Sequence, residues 1–481
     1  MSEVVKEALT KKLDFSKVKP VSAPAKSMRV FLQPFNKSEF TGQQTEVVQI
    51  RIPTGKAGQY LDTSQSYLQF TINNTSEREM ALDGCAMSII NRFEVWANAS
   101  SLQMEDLQEY GTFYNMLLDL KKDSTERGNG DNLLIGCDGG LVVDGTGTNP
   151  TAPTNPSIIT GLSSPNRKGV TIEAGGSRTF CVPVVSGILA LDQYLPIGAM
   201  RQGDMEIRMT LENVKKAFVY NESKIDEVAG TAGTHPDEPW RDGYVAPVEA
   251  IDEVPAGYGS YTLTNVRYVA QMVELDPSAE QNVRDLSGGL YRISSESFGS
   301  VSHTLESSTN PTSANVYLPF KHSSLKSIFA IHRPTENLST PLNRGVTGRV
   351  KANLTQFQID IGGQLFPQQP VIVDEHGVEV YMELRRALQS VSLVNGGGCI
   401  NQVSWNQNEC TTGDATFTIM QELESISESD NVLMSGSNVR NASIHFKSQY
   451  SRLENNMTLT FYSHYDINFY IDELGAVSIE A

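Results

Sequence analysis

Short runs in which apolar and polar residues alternate strictly recur along most of this chain, and that period of two is what most restricts its fold. Met205, Ile207, Met209 and Leu211 alternate with Glu206, Arg208 and Thr210, and Phe357, Ile359 and Ile361 alternate with Gln356, Gln358 and Asp360. Val266, Tyr268, Ala270 and Met272 repeat the pattern, as do Met457, Leu459 and Phe461. Successive side chains of an extended strand point to opposite faces, so such runs read as strands with one buried and one wet face. Gly, Pro, Asn and Asp bound the runs, which is the punctuation of an all-β protein.

Helical spacing is rare. One candidate covers roughly 103–121, with Leu107, Tyr110, Tyr114 and Leu117 on one stripe and Glu105 and Asp106 in its first turn. A second covers roughly 377–391, with Val378, Tyr381, Leu384, Leu388 and Val391 on one stripe and Arg385 and Arg386 toward its end. Each follows a strand and an irregular stretch, RFEVWANASSLQ before the first and FQIDIGGQLFPQQP before the second. The same order of parts in both halves predicts two copies of one β-rich unit with a flanking helix. At 481 residues the chain is long enough for two such cores.

The expected organisation is an N-terminal arm over 1–27, a first β unit over 28–221 with a loop insertion at 124–166, an acidic loop and interdomain crossing over 222–260, and a second β unit over 261–481. Both insertions are poor in apolar residues, the first as DGTGTNPTAPTNPS and the second as HPDEPWRDG, and loops of that length are usually functional surface or disordered. The acidic 222–260 segment is expected on an outer surface.

Charge narrows the partners. Lys and Arg number 38 against 56 Asp and Glu, a formal net charge of −18 that repels phosphate backbones. The arm has the opposite sign: Lys6, Lys11, Lys12, Lys17, Lys19 and Lys26 stand against Glu3, Glu7 and Asp14, for a net +3. Those lysines are the candidate assembly residues, able to reach an anionic surface. The N-terminal sequence does not read as a secretion signal, and no apolar run is long enough to span a bilayer.

Catalytic and metal-binding patterns are missing. No GxSxG, HExxH or GxxxxGK[ST] occurs, and Cys85, Cys137, Cys181, Cys399 and Cys410 form no CxxC pair, so they are expected as free thiols. His464 with Asp466 on one strand face is the most suggestive acid–base pair, and His376 beside Asp374 and Glu375 the most suggestive oxygen-rich corner. Neither has an identifiable third partner, and acids just before a helix are expected from its dipole alone. No catalytic, cofactor or metal residue is assigned.

Four stretches together carry a family resemblance. They are IPTGKAGQYLDTSQSYLQFTI with IINRFEVWANASSLQMEDLQEYGTFYNMLLDL; SGILALDQYLPIGAMRQGDMEIRMTL; YTLTNVRYVAQMVELDP continuing to GGLYRISSESF and LPFKHSSLKSIFAIHR; and FQIDIGGQLFPQQPV. In order and spacing the chain resembles the double jelly-roll major capsid proteins of tailless icosahedral double-stranded DNA viruses, of the polinton-like and virophage-like groups. The resemblance implies an all-β fold of two consecutive eight-stranded jelly rolls with short flanking helices and long loop insertions. It further implies a structural and non-enzymatic role: three chains form a pseudo-hexagonal homotrimer, and neighbouring trimers build an icosahedral shell around a DNA genome. Penton and minor capsid proteins would be partners, and the arm would touch genome or inner membrane; cofactor and small-molecule substrate are expected to be none. The location implied is the virion, assembled in the host cytoplasm or nucleus. The competing reading from composition is a glycan- or receptor-binding β-sandwich of the spike or lectin kind, against which stands the scatter of Trp96, Trp240 and Trp405.

Overall fold

A computed structural model of the chain describes residues 25–76, 80–122, 126–137, 142–143, 158–159, 169–219, 259–335, 345–388, 398–400, 402–408, 415–424 and 435–480. Sixteen of its strands form two units. The first contains β1 (Ala25–Leu32), β2 (Val47–Ile52), β3 (Gln59–Asn74), β4 (Ile90–Ala97), β5 (Leu102–Gln108), β6 (Ser177–Val182), β7 (Met205–Leu211) and β8 (Tyr261–Leu275). The second contains β9 (Tyr291–Leu305), β10 (Thr312–Leu318), β11 (Leu325–Pro334), β12 (Leu354–Ile361), β13 (Gln364–Ile372), β14 (Ile419–Glu422), β15 (Ile444–Tyr450) and β16 (Met457–Ile471).

The sheets of the first unit run β1-β8-β3-β6 and β2-β7-β4-β5, and those of the second run β9-β16-β11-β14 and β10-β15-β12-β13. Adding eight to each strand of the first unit gives the second, strand for strand. Two four-stranded antiparallel sheets in the order 1-8-3-6 and 2-7-4-5 are a jelly roll, so the chain is two jelly rolls in tandem. The alternation explains the burial: Leu68, Phe70 and Ile72 of β3, Ile207 and Met209 of β7, and Tyr268 and Ala270 of β8 all enter the core, while Arg208, Tyr67 and Arg267 between them stay partly exposed.

The duplicated strand-then-helix order is present as expected. α1 (Tyr110–Lys121) follows β5, α3 (Val378–Ala387) follows β13, and α2 (Pro277–Ser287) joins the two rolls. α2 opens with Pro277 at its first position and closes on Gly288 at φ 61°, the usual asymmetry of helix ends. The corresponding registers agree in detail, since Phe93 faces Met209 across β4 and β7 just as Phe357 faces Ser448 across β12 and β15.

Several boundaries differ from the sequence expectation. The predicted helix at 103–121 begins as a strand: a register shift at Val95/Trp96 turns Met104, Glu105 and Leu107 all inward. That bulge erases the alternation which would have marked β5, and Glu109 at φ 54° then starts α1. The stripe predicted for the second helix is also rotated. Val380 and Leu384 are buried whereas Val378 is 57% exposed, because two positions along a helix turn a side chain through about 200° to the opposite face; residues 389–391 lie outside the described residues.

The domain limits shift too. β8, expected in the second unit, pairs with β1 and β3 of the first, since its partly exposed polar face and apolar inner face complete that sheet. The 222–260 segment is therefore an excursion within the first roll, from Val219 back to Tyr261, and the crossing between rolls is α2; most of the segment, 222–258, lies outside the described residues. Within the expected 124–166 loop, Arg127, Ile135 and Cys137 are buried, while Leu133 and Leu134 between them stay exposed. Val142–Val143 pairs with Ile158–Ile159, and the rest of that loop lies outside the described residues.

Candidate functional site

The two rolls meet through α1. Gly111 lets this helix approach the turn at Ala86–Ile89, where an added Cβ would lie 2.9 Å from both Met87 O and Ser88 Cα. On the other side of α1, Phe113 packs against Phe298 of β9 and Tyr462 of β16, with ring centroids 4.7 and 5.0 Å apart. Phe298 pairs across the sheet with His464, and their rings stack at 4.8 Å. α1 thus lies on the outer face of the β9-β16-β11-β14 sheet, and ten of its twelve residues are buried.

Charged groups pin the same junction. Arg333 of β11, 1% exposed, donates from Nη1 to Glu109 Oε2 at 3.2 Å, to Thr112 Oγ1 at 3.0 Å and to Gly345 O at 3.1 Å, and from Nη2 to Thr460 Oγ1 at 3.2 Å. Lys216 Nζ completes the pair with Glu109 Oε2 at 2.6 Å. Burial pushes the Glu109 carboxyl up, but the Arg333 and Lys216 cations outweigh it and hold the group at about 2. Tyr462 also donates to Glu109 O at 3.2 Å.

Three more acids of the first roll reach across. Glu105 Oε1 accepts from Ser297 Oγ of β9 and from Gly187 N, both at 2.6 Å; burial raises its pKa against those hydrogen bonds. Asp83 Oδ2 accepts from Val346 N at 2.7 Å and Thr347 N at 3.1 Å. Asp119 binds Arg349 of the second roll and Arg127 of the first, and Arg127 Nη1 also contacts Cys399 Sγ at 3.0 Å. Removing one member of such a buried set leaves an unpaired charge behind, which costs far more than a surface pair.

The residues singled out in the sequence fall elsewhere. Lys26 belongs to β1, opposite Glu274, and not to a separate arm, because the pairing of β1 with β8 extends back to Ala25 opposite Leu275. Lys6, Lys11, Lys12, Lys17 and Lys19 lie outside the described residues, as does Cys410; Cys85, Cys137, Cys181 and Cys399 are free thiols. His464 does not pair with Asp466. Its Nε2 meets Glu296 Oε2 at 2.9 Å, while Asp466 accepts from Ser324. His464 and then Lys326 hold Glu296 at about 2 against the effect of burial. Asp374 Oδ1 accepts from Val378 N at 3.1 Å at the start of α3, and Lys351 Nζ bonds the backbone carbonyls of Asp374 and Glu375, so that acidic corner caps a helix.

Among the described residues no three His, Cys, Asp or Glu side chains are grouped to hold a metal, and no helix is long and apolar enough to cross a membrane. A cleft of about 600 Å³ between α1, residues 184–193 and β9 is lined by Leu117, Leu118, Val184, Leu191 and Phe298, together with polar residues that include Lys121 and Glu296. Sequence reasoning missed Glu105, Glu109, Asp119, Arg333 and Arg349. The only signal available was the density of acids at 105–109, and that was absorbed by the expected helix start.

No family model matches the chain, and no curated protein matches its sequence. Solved structures do match over nearly the whole length. A chain of the PBCV-1 virus capsid aligns with a TM-score of 0.58 at 11% identity, covering 97% of this chain and 99% of that one. The Faustovirus major capsid protein aligns at 0.55 and 9% identity, covering 97% and 94%. A chain of the Sputnik virophage structure aligns at 0.52 and 10% identity, covering 98% and 92%. Strand order and these full-length likenesses agree: the chain has the double jelly-roll fold of viral major capsid proteins.

Proposed function

We propose that this protein is a structural subunit of a virus shell, a major capsid protein that associates with copies of itself, and not an enzyme. The observation that carries the reading is the pair of quasi-identical jelly rolls, joined through α1, in a chain whose likeness to virus capsid chains extends over 97–98% of its length. Two like rolls in one chain present six like units when three chains close a ring, so a pseudo-hexagonal homotrimer is the natural capsomer; such head-to-tail contacts join different faces and close without a free end. Neighbouring trimers, penton and minor capsid proteins would complete a shell around a DNA genome in a virion formed in the host cell.

The segment before Ala25 serves assembly in this reading. With Lys26 assigned to β1, its five lysines against Glu3, Glu7 and Asp14 still leave it positive in an acidic protein, suited to an anionic surface such as an acidic capsomer, genome or membrane headgroups. Negative-stain microscopy and sedimentation of the purified full chain test the proposal. Pseudo-hexagonal plates or shells are expected, and monomers at all concentrations and salt conditions would overturn it. A chain starting at Ala25 should keep its thermal transition and trimer mass while losing shells or their salt resistance; unchanged shells would remove the arm's role.

A further inference from the structure

α2 joins the two rolls, yet none of its eleven residues is buried. Its Leu286 is 89% exposed, Leu290 just beyond its end is 49% exposed, and Leu474 in the turn at 472–476 is 75% exposed. That turn lies against the exit of α2, since a Cβ added at Gly289 would stand 3.1 Å from Glu473 Cγ. Leu286 and Leu474 are the two most exposed large apolar side chains among the described residues. One exposed leucine is ordinary surface, but several grouped at the end of a helix with no buried side mark a face that is meant to be covered. The same helix and turn carry the exposed acids Asp276, Asp285 and Glu473. Asp276 accepts from Ser278 and Asp285 from Gln281, and among the described residues neither carboxylate, nor that of Glu473, has a cation partner.

The chain itself supplies a cover. β1 begins at Ala25 opposite Leu275, which ends β8 two positions before Pro277 opens α2, so the segment before Ala25 emerges beside this helix. In that segment Val5, Leu9 and Leu13 recur at i, i+4 spacing, and on a helix of that pattern Lys6 and Lys12 flank the apolar stripe, one on each side. The eleven residues from Asp14 to Pro24 span up to about 36–40 Å when extended, more than twice the ~16 Å length of α2. Pro20 and Pro24 end the helical pattern before the strand.

We propose that residues 1–24 dock on α2 of their own chain, with Val5, Leu9 and Leu13 over Leu286, Leu290 and Leu474, and Lys6 and Lys12 toward Asp285 and Glu473. The occupant is the chain's own segment because its tether ends beside α2, which keeps its local concentration high, and because its stripe and its charge both complement this face. Lys11 falls on the side away from the stripe, so the docked segment gives an acidic protein one basic face at the seam between its rolls. This deepens the assembly role given to the segment above and rests on that reading, with the docking and the shell as separate readouts.

The full-length variant Leu9→Cys/Leu286→Cys, checked for an unchanged thermal transition, is oxidised with copper phenanthroline and its non-reduced peptides are mapped by mass spectrometry. A disulfide joining positions 9 and 286 within one chain is expected, and none from Leu9→Cys/Tyr317→Cys, whose second position is exposed on β10. An equimolar mixture of the two single variants should give no product between chains; such a product would overturn docking within the chain. Independently, Leu286→Glu/Leu474→Glu should speed tryptic cleavage after Lys11 and Lys12 by at least about tenfold, because a docked segment is cut only when it opens. Absence of the intrachain disulfide, or cleavage rates unchanged in that double variant, would overturn the docking even where native chains build shells, and the capsid reading would stand. Native chains that form the disulfide and never build shells would remove the capsid reading and leave the docking in place.

Discussion

Replacing Arg333 with methionine probes what joins the two rolls, because this one guanidinium makes four hydrogen bonds, to Glu109, Thr112, Gly345 and Thr460, while only 1% exposed. Methionine matches the length of the side chain and fills most of its volume, so the loss is mainly electrostatic. Glu109 keeps Lys216 at 2.6 Å, but two threonine hydroxyls and a carbonyl lose a partner and the carboxylate loses one of its two cations. Breaking a buried, hydrogen-bonded ion pair from one side costs about 3–5 kcal/mol. For a domain the size of one roll, each kcal/mol shifts Tm by about 2–4 °C, so a fall of about 10 °C is expected.

Differential scanning calorimetry of native chain, Arg333→Met, Glu109→Gln and the double variant measures this directly. The cycle should return a coupling of about 2 kcal/mol, because the residues share a network and their losses are not additive. Since Arg333 belongs to the second roll and Glu109 to the first, the single variants should also begin to separate one cooperative transition into two. A loss below about 1 kcal/mol, or strictly additive losses, would refute the view that this pair holds the junction.

Phe113→Ala removes a fully buried ring that touches both Phe298 and Tyr462; equilibrium denaturation should show a loss of about 3–5 kcal/mol. Gly111→Ala should destabilise in the same assay by about 1–3 kcal/mol, even though alanine favours helix, because its Cβ meets backbone atoms of Met87 and Ser88 at 2.9 Å. Acid should weaken the fold in two stages. Burial holds His332 near 3, where it bonds Tyr450 Oη at 2.9 Å, so its neutral form is retained in the fold while the unfolded chain takes a proton below about 6.5. That contribution is present above pH ~6.5 and lost on the way down, by about 2–3 kcal/mol at pH 4.5. Glu109, held at about 2, contributes above its unfolded value of about 4.3 and loses that as pH falls toward 2. His332→Gln should flatten the first stage of a Tm-versus-pH curve and Glu109→Gln the second; two unchanged curves would contradict both assignments.

Much of the architecture was legible because alternation is a local property. Ile207, Met209, Phe357 and Ile359 announce their strands without reference to any partner, and the shared order of strand and helix around Phe93 and Phe357 exposes the duplication. Where the local pattern breaks, the reading broke too. The bulge beside Val95 hid β5 inside an apparent helix, and β8 read as the start of the second unit because it follows the long acidic segment. The junction left almost no trace: Glu105, Glu109 and Asp119 look like ordinary surface acids of a helix, and their partners Ser297, Arg333 and Arg349 lie roughly two hundred residues away.

The sequence by itself determined that this protein is made of strands with one apolar face, that it contains two like units, and that its first residues differ in charge from the rest. Only the tertiary structure decided which strands share a sheet, that Ala25–Leu32 closes against Tyr261–Leu275, and that α1 is sealed between rolls while α3 faces outward. The physical reason is that a residue period reports which side of an element must leave water. What that side meets depends on contacts between distant parts of the chain, where packing and paired charge select one arrangement from many that satisfy the same pattern.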